Sequence, residues 1–240
     1  MRGSCECGSV VFESRGPWRD AVACHCGQCR KTSGHYWAST SVPESALNFL
    51  SREGLDWYDS SDIAKRGFCG NCGSSLFYKK HTEDRVAIGA GTLDGPTDLT
   101  TDRDIFVEDK GDYYEVGGPA GPAQEATYPM SGSCECGAVT FEVTKAPTSA
   151  WYCHCDQCRK ASGHFWAGAQ LVEDGYRIKT DDRLRWYQST DVVKKGYCNG
   201  CGSTLFWWLN GRAAPAVSAG ALDAPTGLTI GGRFGSRLYS

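Results

Sequence analysis

The sequence predicts a mainly β protein written as two copies of one cysteine-bearing unit, and three observations predict it. Each of the fourteen cysteines has a twin at a constant offset of 129 residues. Apolar residues alternate over short stretches instead of recurring at helical spacing. Thirty glycines supply the tight turns that many short strands need. An offset kept without insertion or deletion marks a duplicated domain, so the 240 residues divide in two rather than forming one large unit.

In the first copy the alternation predicts strands over residues 9–12, 35–42, 47–50, 67–78 and 86–91, with counterparts in the second. A helical turn is predicted only at residues 28–34 and 157–163, where Ser33-Gly34 and Ser162-Gly163 supply the stop. Ile105-Phe106-Val107 and Tyr113-Tyr114 read as closing strands of copy one. Copy two ends in Gly231-Gly232-Arg233-Phe234-Gly235 and reads as lacking them. Gly117-Gly118-Pro119-Ala120-Gly121-Pro122-Ala123 has no apolar period and reads as a linker. The expected organisation is a first domain over 1–117, a linker over 118–130 and a second domain over 131–240.

The bulk numbers exclude several classes. A hydrophobic content of 40% with 12% aromatics is that of a globular chain, and no apolar run approaches the roughly 20 residues needed to span a bilayer. A net charge of −3 without a lysine or arginine tract gives no nucleic-acid footprint. The first residues are polar and resemble no signal peptide, so a reducing, cytoplasmic setting is expected.

In such a setting fourteen cysteines point to metal. Cys5 and Cys7 form C-x-C, Cys24, Cys26 and Cys29 form C-x-C-x-x-C, and Cys69 and Cys72 form C-x-x-C followed by glycine; Cys134, Cys136, Cys153, Cys155, Cys158, Cys198 and Cys201 repeat the series. C-x-C pairs are poorly placed to bridge each other, which disfavours disulfides, and zinc explains the knuckle spacing better than an iron–sulfur cluster. Seven sulfurs divide as four plus three. Cys5, Cys7, Cys69 and Cys72 make a closed tetrahedral set, and Cys24, Cys26 and Cys29 remain as a three-sulfur set with an open position. The alternative is that His25 or His35 closes it, with His154 or His164 doing so in copy two.

These linked motifs, Cys24-His25-Cys26-Gly27-Gln28-Cys29-Arg30-Lys31-Thr32-Ser33-Gly34 with its twin from Cys153 to Gly163, the Gly67-Phe68-Cys69 knuckle and Gly91-Thr92-Leu93-Asp94, resemble the glutathione-dependent formaldehyde-activating enzyme family, also called the centromere protein V family. The resemblance covers nearly the whole chain, twice. It implies two tandem Mss4-like β-tent zinc domains, each with a structural zinc on the four-sulfur set and a labile, catalytic zinc on the three-sulfur set. In copy two these sets are Cys134, Cys136, Cys198, Cys201 and Cys153, Cys155, Cys158. Two departures stand out. The family's arginine before the knuckle is Arg66 in copy one but Lys195 in copy two, and the histidine that often opens the closing strand is Asp104 here.

Zinc on three thiolates suits the handling of a thiol. The expected function is a zinc-dependent carbon–sulfur lyase or condensing enzyme acting on adducts of glutathione, or a similar small thiol, with formaldehyde or another small electrophile. The alternative is a zinc-stabilised binding scaffold or thiol carrier. His35, His164 and Arg66 are the catalytic candidates, and Arg30, Lys31, Lys65 and Trp37 the substrate-binding ones. Trp57 is a further possible pocket wall, with core packing as the competing role for both tryptophans.

Overall fold

In the computed structural model of the chain, which describes residues 1–118 and 121–235, the two halves repeat one topology. The first runs β1 (Arg2–Ser4), β2 (Val10–Ser14), β3 (Ala21–Cys24), α1 (Gly27–Ser33), β4 (Trp37–Pro43), β5 (Leu47–Arg52), β6 (Leu55–Ser61), β7 (Ala64–Cys69), β8 (Ser75–Lys80), β9 (Arg85–Gly89) and β10 (Thr101–Ile105). The second runs β11 (Met130–Ser133), β12 (Thr140–Val143), β13 (Ser149–Cys153), α2 (Asp156–Ser162), β14 (Trp166–Gln170), β15 (Tyr176–Thr180), β16 (Leu184–Thr190), β17 (Val193–Cys198), β18 (Thr204–Leu209), β19 (Ala216–Ser218) and β20 (Ile230–Phe234). Short 3-10 turns at Ala90–Thr92 and Ala219–Ala221 follow β9 and β19. Among the described residues no helix is long and apolar enough to cross a membrane.

Each half is a β-tent of two sheets. A three-stranded sheet, β1-β2-β5 or β11-β12-β15, leans on a seven-stranded one, β10-β3-β4-β9-β8-β7-β6 or its twin β20-β13-β14-β19-β18-β17-β16. Strict alternation in β2, with Val10, Phe12 and Ser14 buried, turns one face of the small sheet inward. Phe12 meets Phe77 from β8 edge-on with ring centroids 5.1 Å apart, and the twin pair Phe141 and Phe206 meets at 5.3 Å. Cys5 and Cys7 follow β1 while Cys69 ends β7, so the four-sulfur set ties the small sheet to the large one. The knuckle glycines Gly73 and Gly202 both sit at φ 76°, where an L side chain is strained, and their amides donate to the carbonyls of Cys69 and Cys198.

The structure corrects the expected chain ends. Copy two does have a closing strand: β20 pairs parallel with β13 as β10 pairs with β3. The glycines of residues 231–235 hid it, because a parallel edge strand is held by backbone hydrogen bonds and carries little apolar signal. In copy one the closing strand stops at Ile105, since Phe106 adopts φ 55° in the left-handed region. Tyr113 and Tyr114 form no strand; they are buried among the core residues of the second half. The expected strand boundaries missed β1, β3 and β6. Strand β3 is buried along most of its length and shows no alternation. Pro119 and Ala120 of the expected linker, and residues 236–240 of the expected second domain, lie outside the described residues.

The halves pack about a pseudo-twofold relation. Helix α1 rests on the turn Ala219–Ala221 and α2 on Ala90–Thr92. The Gly220 amide donates to the Gly34 carbonyl at 2.9 Å, and the Gly91 amide to the Gly163 carbonyl at 2.8 Å. A Cβ on Gly91 would lie 2.6 Å from the Arg159 carbonyl oxygen, and one on Gly220 would lie 2.5 Å from that of Arg30. These obstacles are backbone and cannot swing aside. Gly91→Ala and Gly220→Ala are each expected to destabilise the chain by about 1–3 kcal/mol, read as a drop in urea midpoint. Gly95→Ala, where nothing lies within 4 Å, serves as the unaffected control.

Candidate metal centres and their cavities

Local geometry brings the cysteines together in two ways. Cys24 closes β3 and Cys26 follows two residues on, so their side chains share a side while His25 between them faces the other. Cys29 stands in the first turn of α1 and curls back to meet them. Within each set the sulfurs all lie within 4.8 Å of one another: Cys5, Cys7, Cys69 and Cys72; Cys134, Cys136, Cys198 and Cys201; Cys24, Cys26 and Cys29; Cys153, Cys155 and Cys158. Neighbouring sulfurs stand 3.5 Å apart for Cys24–Cys26 and Cys153–Cys155, and 3.7 Å for Cys7–Cys69. Four thiolates around one zinc ion stand about 3.8 Å apart, so the donor sets fit zinc. All fourteen cysteines are free of disulfides.

Among the described residues no histidine or carboxylate joins either trio. The reason is visible in how the histidines are held. His25 shares hydrogen bonds with Tyr114 Oη and Asp104 Oδ1, both at 2.9 Å. An ionised Asp104 can only accept, so Nε2 of His25 carries its proton and Nδ1 accepts from Tyr114. His35 is tied to Tyr113 Oη at 3.1 Å and His164 to Tyr36 Oη at 3.2 Å. Burial drives His35 well below the usual imidazole range and His164 down to about 3. The structure therefore places His35 and His164 in a neutral aromatic cluster between the halves, away from the sulfurs.

Each trio opens into a cavity. The first, about 770 Å³, is lined by Cys24, Cys26 and Cys29 together with Trp37 and Arg66. The second, about 700 Å³, is lined by Cys153, Cys155 and Cys158 together with Trp166 and Lys195. Arg66 is buried, with Nη2 3.5 Å from Cys29 Sγ and its guanidinium over the Tyr78 ring. Burial works against that charge, but Cys29, Cys26 and Glu135 together hold Arg66 firmly protonated. Hydrogen bonds from Cys24 and Cys29, reinforced by Arg66, pull Cys26 down to about 2; Cys153, Cys158 and Lys195 do the same for Cys155. Each trio thus has one sulfur prepared as a thiolate beside a fixed cation.

Three of the expected substrate contacts lie elsewhere. Lys31 Nζ donates to Ser133 Oγ at 2.7 Å and to Asp223 at 2.9 Å, both on the other half, where complementary partners hold it. Arg30 donates to the Asp109 carbonyl at 3.1 Å, and Lys65 lies over the half-exposed Trp57 ring at 4.7 Å. Sequence reasoning also missed two acids. Glu6, between Cys5 and Cys7 of copy one, reaches Lys195 of copy two at 2.8 Å, with side chains 4% and 6% exposed. Glu135, between Cys134 and Cys136, accepts from Gln28 Nε2 in copy one at 3.2 Å. Each four-sulfur loop therefore supports the neighbourhood of the other half's trio. The signal was present as the shared C-E-C triplet, but nothing local says that its glutamate crosses the interface.

The profile of the family described as glutathione-dependent formaldehyde-activating enzyme matches residues 1–109 and again 129–230. The chain belongs to this family. A curated family relative, an uncharacterized lyase of Schizosaccharomyces pombe, is 27% identical over 115 residues, covering 47% of this chain and 82% of the relative. A crystal structure of a Rhodobacter sphaeroides protein is 26% identical and covers 43% of this chain and 99% of its own, with a TM-score of 0.35.

The Lys195–Glu6 pair gives a direct test of the crossing. Glu6→Gln leaves a buried ammonium without its counter-charge and is expected to cost about 3–5 kcal/mol in unfolding free energy. Asp223→Asn, which loosens the half-exposed pair to Lys31, is expected to cost about 1 kcal/mol or less. Urea denaturation of the two variants distinguishes them.

Proposed function

We propose that the protein is a zinc-dependent carbon–sulfur lyase or condensing enzyme for adducts between glutathione, or a similar small thiol, and formaldehyde or another small electrophile. The single observation that carries the reading is the trio itself: three convergent sulfurs, no histidine, cysteine or carboxylate joining them among the described residues, and a cavity at their open side. Family membership and the lyase name of the yeast relative support it from outside the chain. Units of 1–117 and 131–240 joined by a linker agree with the doubled match, and a reducing compartment would keep the sulfurs available.

Zinc held by Cys24, Cys26 and Cys29 would accept an incoming thiol and lower its pKa, supplying a sulfur nucleophile at neutral pH. The chain's own residues do the rest. Arg66 fixes Cys29 and offers positive charge at the back of the cavity, and Trp37 forms part of its wall. In the forward direction the thiol sulfur bonds to the carbonyl carbon while the proton it gives up ends on the carbonyl oxygen; in reverse the carbon–sulfur bond breaks and the carbonyl is regenerated. Neither direction needs an oxidant or reductant. Because burial keeps His35 and His164 neutral and they sit in the aromatic cluster with one ring nitrogen of each on a tyrosine, the proton is better carried by water in the open cavity.

The closed sets and the trios are expected to differ in how they release metal. A chain loaded with four zinc ions should lose two to a mild chelator and keep two until it unfolds. Cys26→Ser combined with Cys155→Ser should lower formation of the glutathione–formaldehyde adduct by roughly 100-fold, the scale on which one lost electrostatic stabiliser acts. The unfolding midpoint should stay near that of the parent, whereas Cys72→Ser should lower it sharply. Full activity in the double variant would leave the scaffold or thiol-carrier alternative standing.

A further inference from the structure

The constant offset of 129 residues lays one cavity over the other, and their walls differ in chemistry. The first cavity is lined by Arg19, Arg66, Lys80, Arg85 and Arg103, with Glu83 as the acid among them. At the equivalent positions copy two has Thr148, Lys195, Leu209, Ala214, Gly232 and Arg212. Four guanidiniums are therefore lost, three of them to uncharged residues and one to lysine, and one, Arg212, is gained where copy one has Glu83. In exchange Val22 becomes Trp151, Tyr78 becomes Trp207 and Ile105 becomes Phe234, all lining the second cavity.

Arg19 and Arg85 of the first cavity are not consumed by ion pairs. Arg19 donates to Ser41 Oγ at 3.2 Å and to the Ser39 carbonyl at 3.3 Å; Arg85 donates to Ser41 Oγ at 3.1 Å and to its carbonyl at 2.6 Å. Those partners are neutral, so both charges remain available. Arg103 pairs with Asp102 at the exposed rim, and Glu83 is taken up by Lys80. Burial, then the charges of Arg103 and Arg85, make Arg19 a weaker base than usual, with Asp102 offsetting part of the effect, as where like charges converge with too little counter-charge. Such a wall fits a ligand with more than one carboxylate.

The second cavity offers much less charge. Lys195 is neutralised by Glu6, and one guanidinium, Arg212, stands at the exposed mouth, donating to the neutral Gln170 Oε1 at 2.9 Å. Trp151 meets Trp166 edge-on at 6.3 Å and Phe234 at 6.1 Å, making an aromatic wall beside Cys153, Cys155 and Cys158. We propose that the two cavities take different ligands: the first a thiol bearing several carboxylates, the second a thiol or thiol adduct whose substituent is aromatic and uncharged. This rests on the thiol-handling reading of the trios and adds that the second copy is a distinct site rather than a spare.

Calorimetric titration of the zinc-loaded chain with glutathione and, separately, with benzyl mercaptan tests it. Trp151→Val with Trp207→Tyr, which installs copy-one side chains in copy two, should weaken benzyl mercaptan about tenfold and leave glutathione within about twofold. Arg19→Thr with Arg103→Gly should do the reverse. Thr148→Arg with Gly232→Arg places charge where Thr148 is exposed and a Cβ on Gly232 meets nothing closer than 3.8 Å, and should give the second site measurable glutathione binding. Unfolding midpoints near that of the parent confirm that these variants are folded. Loss of both ligands through the same folded variant, or indifference of both to every exchange, overturns the division of ligands while thiol binding survives. Failure of benzyl mercaptan alone to bind the parent overturns the division, and failure of both thiols overturns the thiol reading beneath it as well.

Discussion

Everything in this molecule is arranged around the cost of gathering sulfurs. Seven thiols per half are drawn into two clusters whose members stand within 4.8 Å, a density that only metal coordination or stored repulsion explains. The four-sulfur set is placed for architectural work, because its sulfurs come from the loop after β1 and from the knuckle after β7, so an ion bound there would fix one sheet against the other. A half of this size has a modest core, and the phenylalanine contact between β2 and β8 lies along the same seam. A metal on that set would therefore act on the same joint as the core.

The trio poses a different electrostatic problem. Three thiolates and a divalent ion leave net negative charge, and the site answers with a buried cation in each half, Arg66 or Lys195. A buried cation in turn needs a counter-charge. The acid comes across the interface from the C-E-C triplet of the other copy, Glu6 to Lys195 and Glu135 toward Arg66. Each half thereby lends its structural loop to the other's chemical site. This explains why duplication within one chain is useful: it fixes two complementary copies at high effective concentration.

Much of this was legible in the residues. The motif order gave the division of sulfurs, because knuckle spacing and the strand-to-turn spacing of C-x-C-x-x-C have local causes. The knuckle glycines were readable for the same reason. What was hidden depends on tertiary placement. His25, His35 and His164 sit beside cysteine motifs in sequence but face an aromatic cluster built from Tyr36, Tyr113 and Tyr114, and a strand's alternation turns His25 from its flanking ligands. Lys31 looked like a substrate contact because it follows Cys29 by two residues, yet that spacing on a helix points it across the interface to Asp223. The closing strand β20 was hidden because parallel pairing asks little of side chains.

The exchange of Arg66 for Lys195 is the pivot on which the two cavities diverge. A lysine ammonium is compact, and here Glu6 Oε2 at 2.8 Å and the Gln157 carbonyl at 3.1 Å occupy it. An arginine carries five donors in a fixed fork, and Arg66 engages Cys29 through Nη2 while its Nε finds no partner among the described residues. The first copy thus keeps donor capacity next to its sulfurs, and Arg19 and Arg85 extend that positive field outward through the cavity. In the second copy a saturated lysine adds little field, and an unbalanced arginine wall would have nothing to meet at its base. Loss of the wall and gain of Trp151 and Trp207 follow one logic: once the inner charge is internally satisfied, apolar contact becomes the stronger source of binding energy in a cavity of this size.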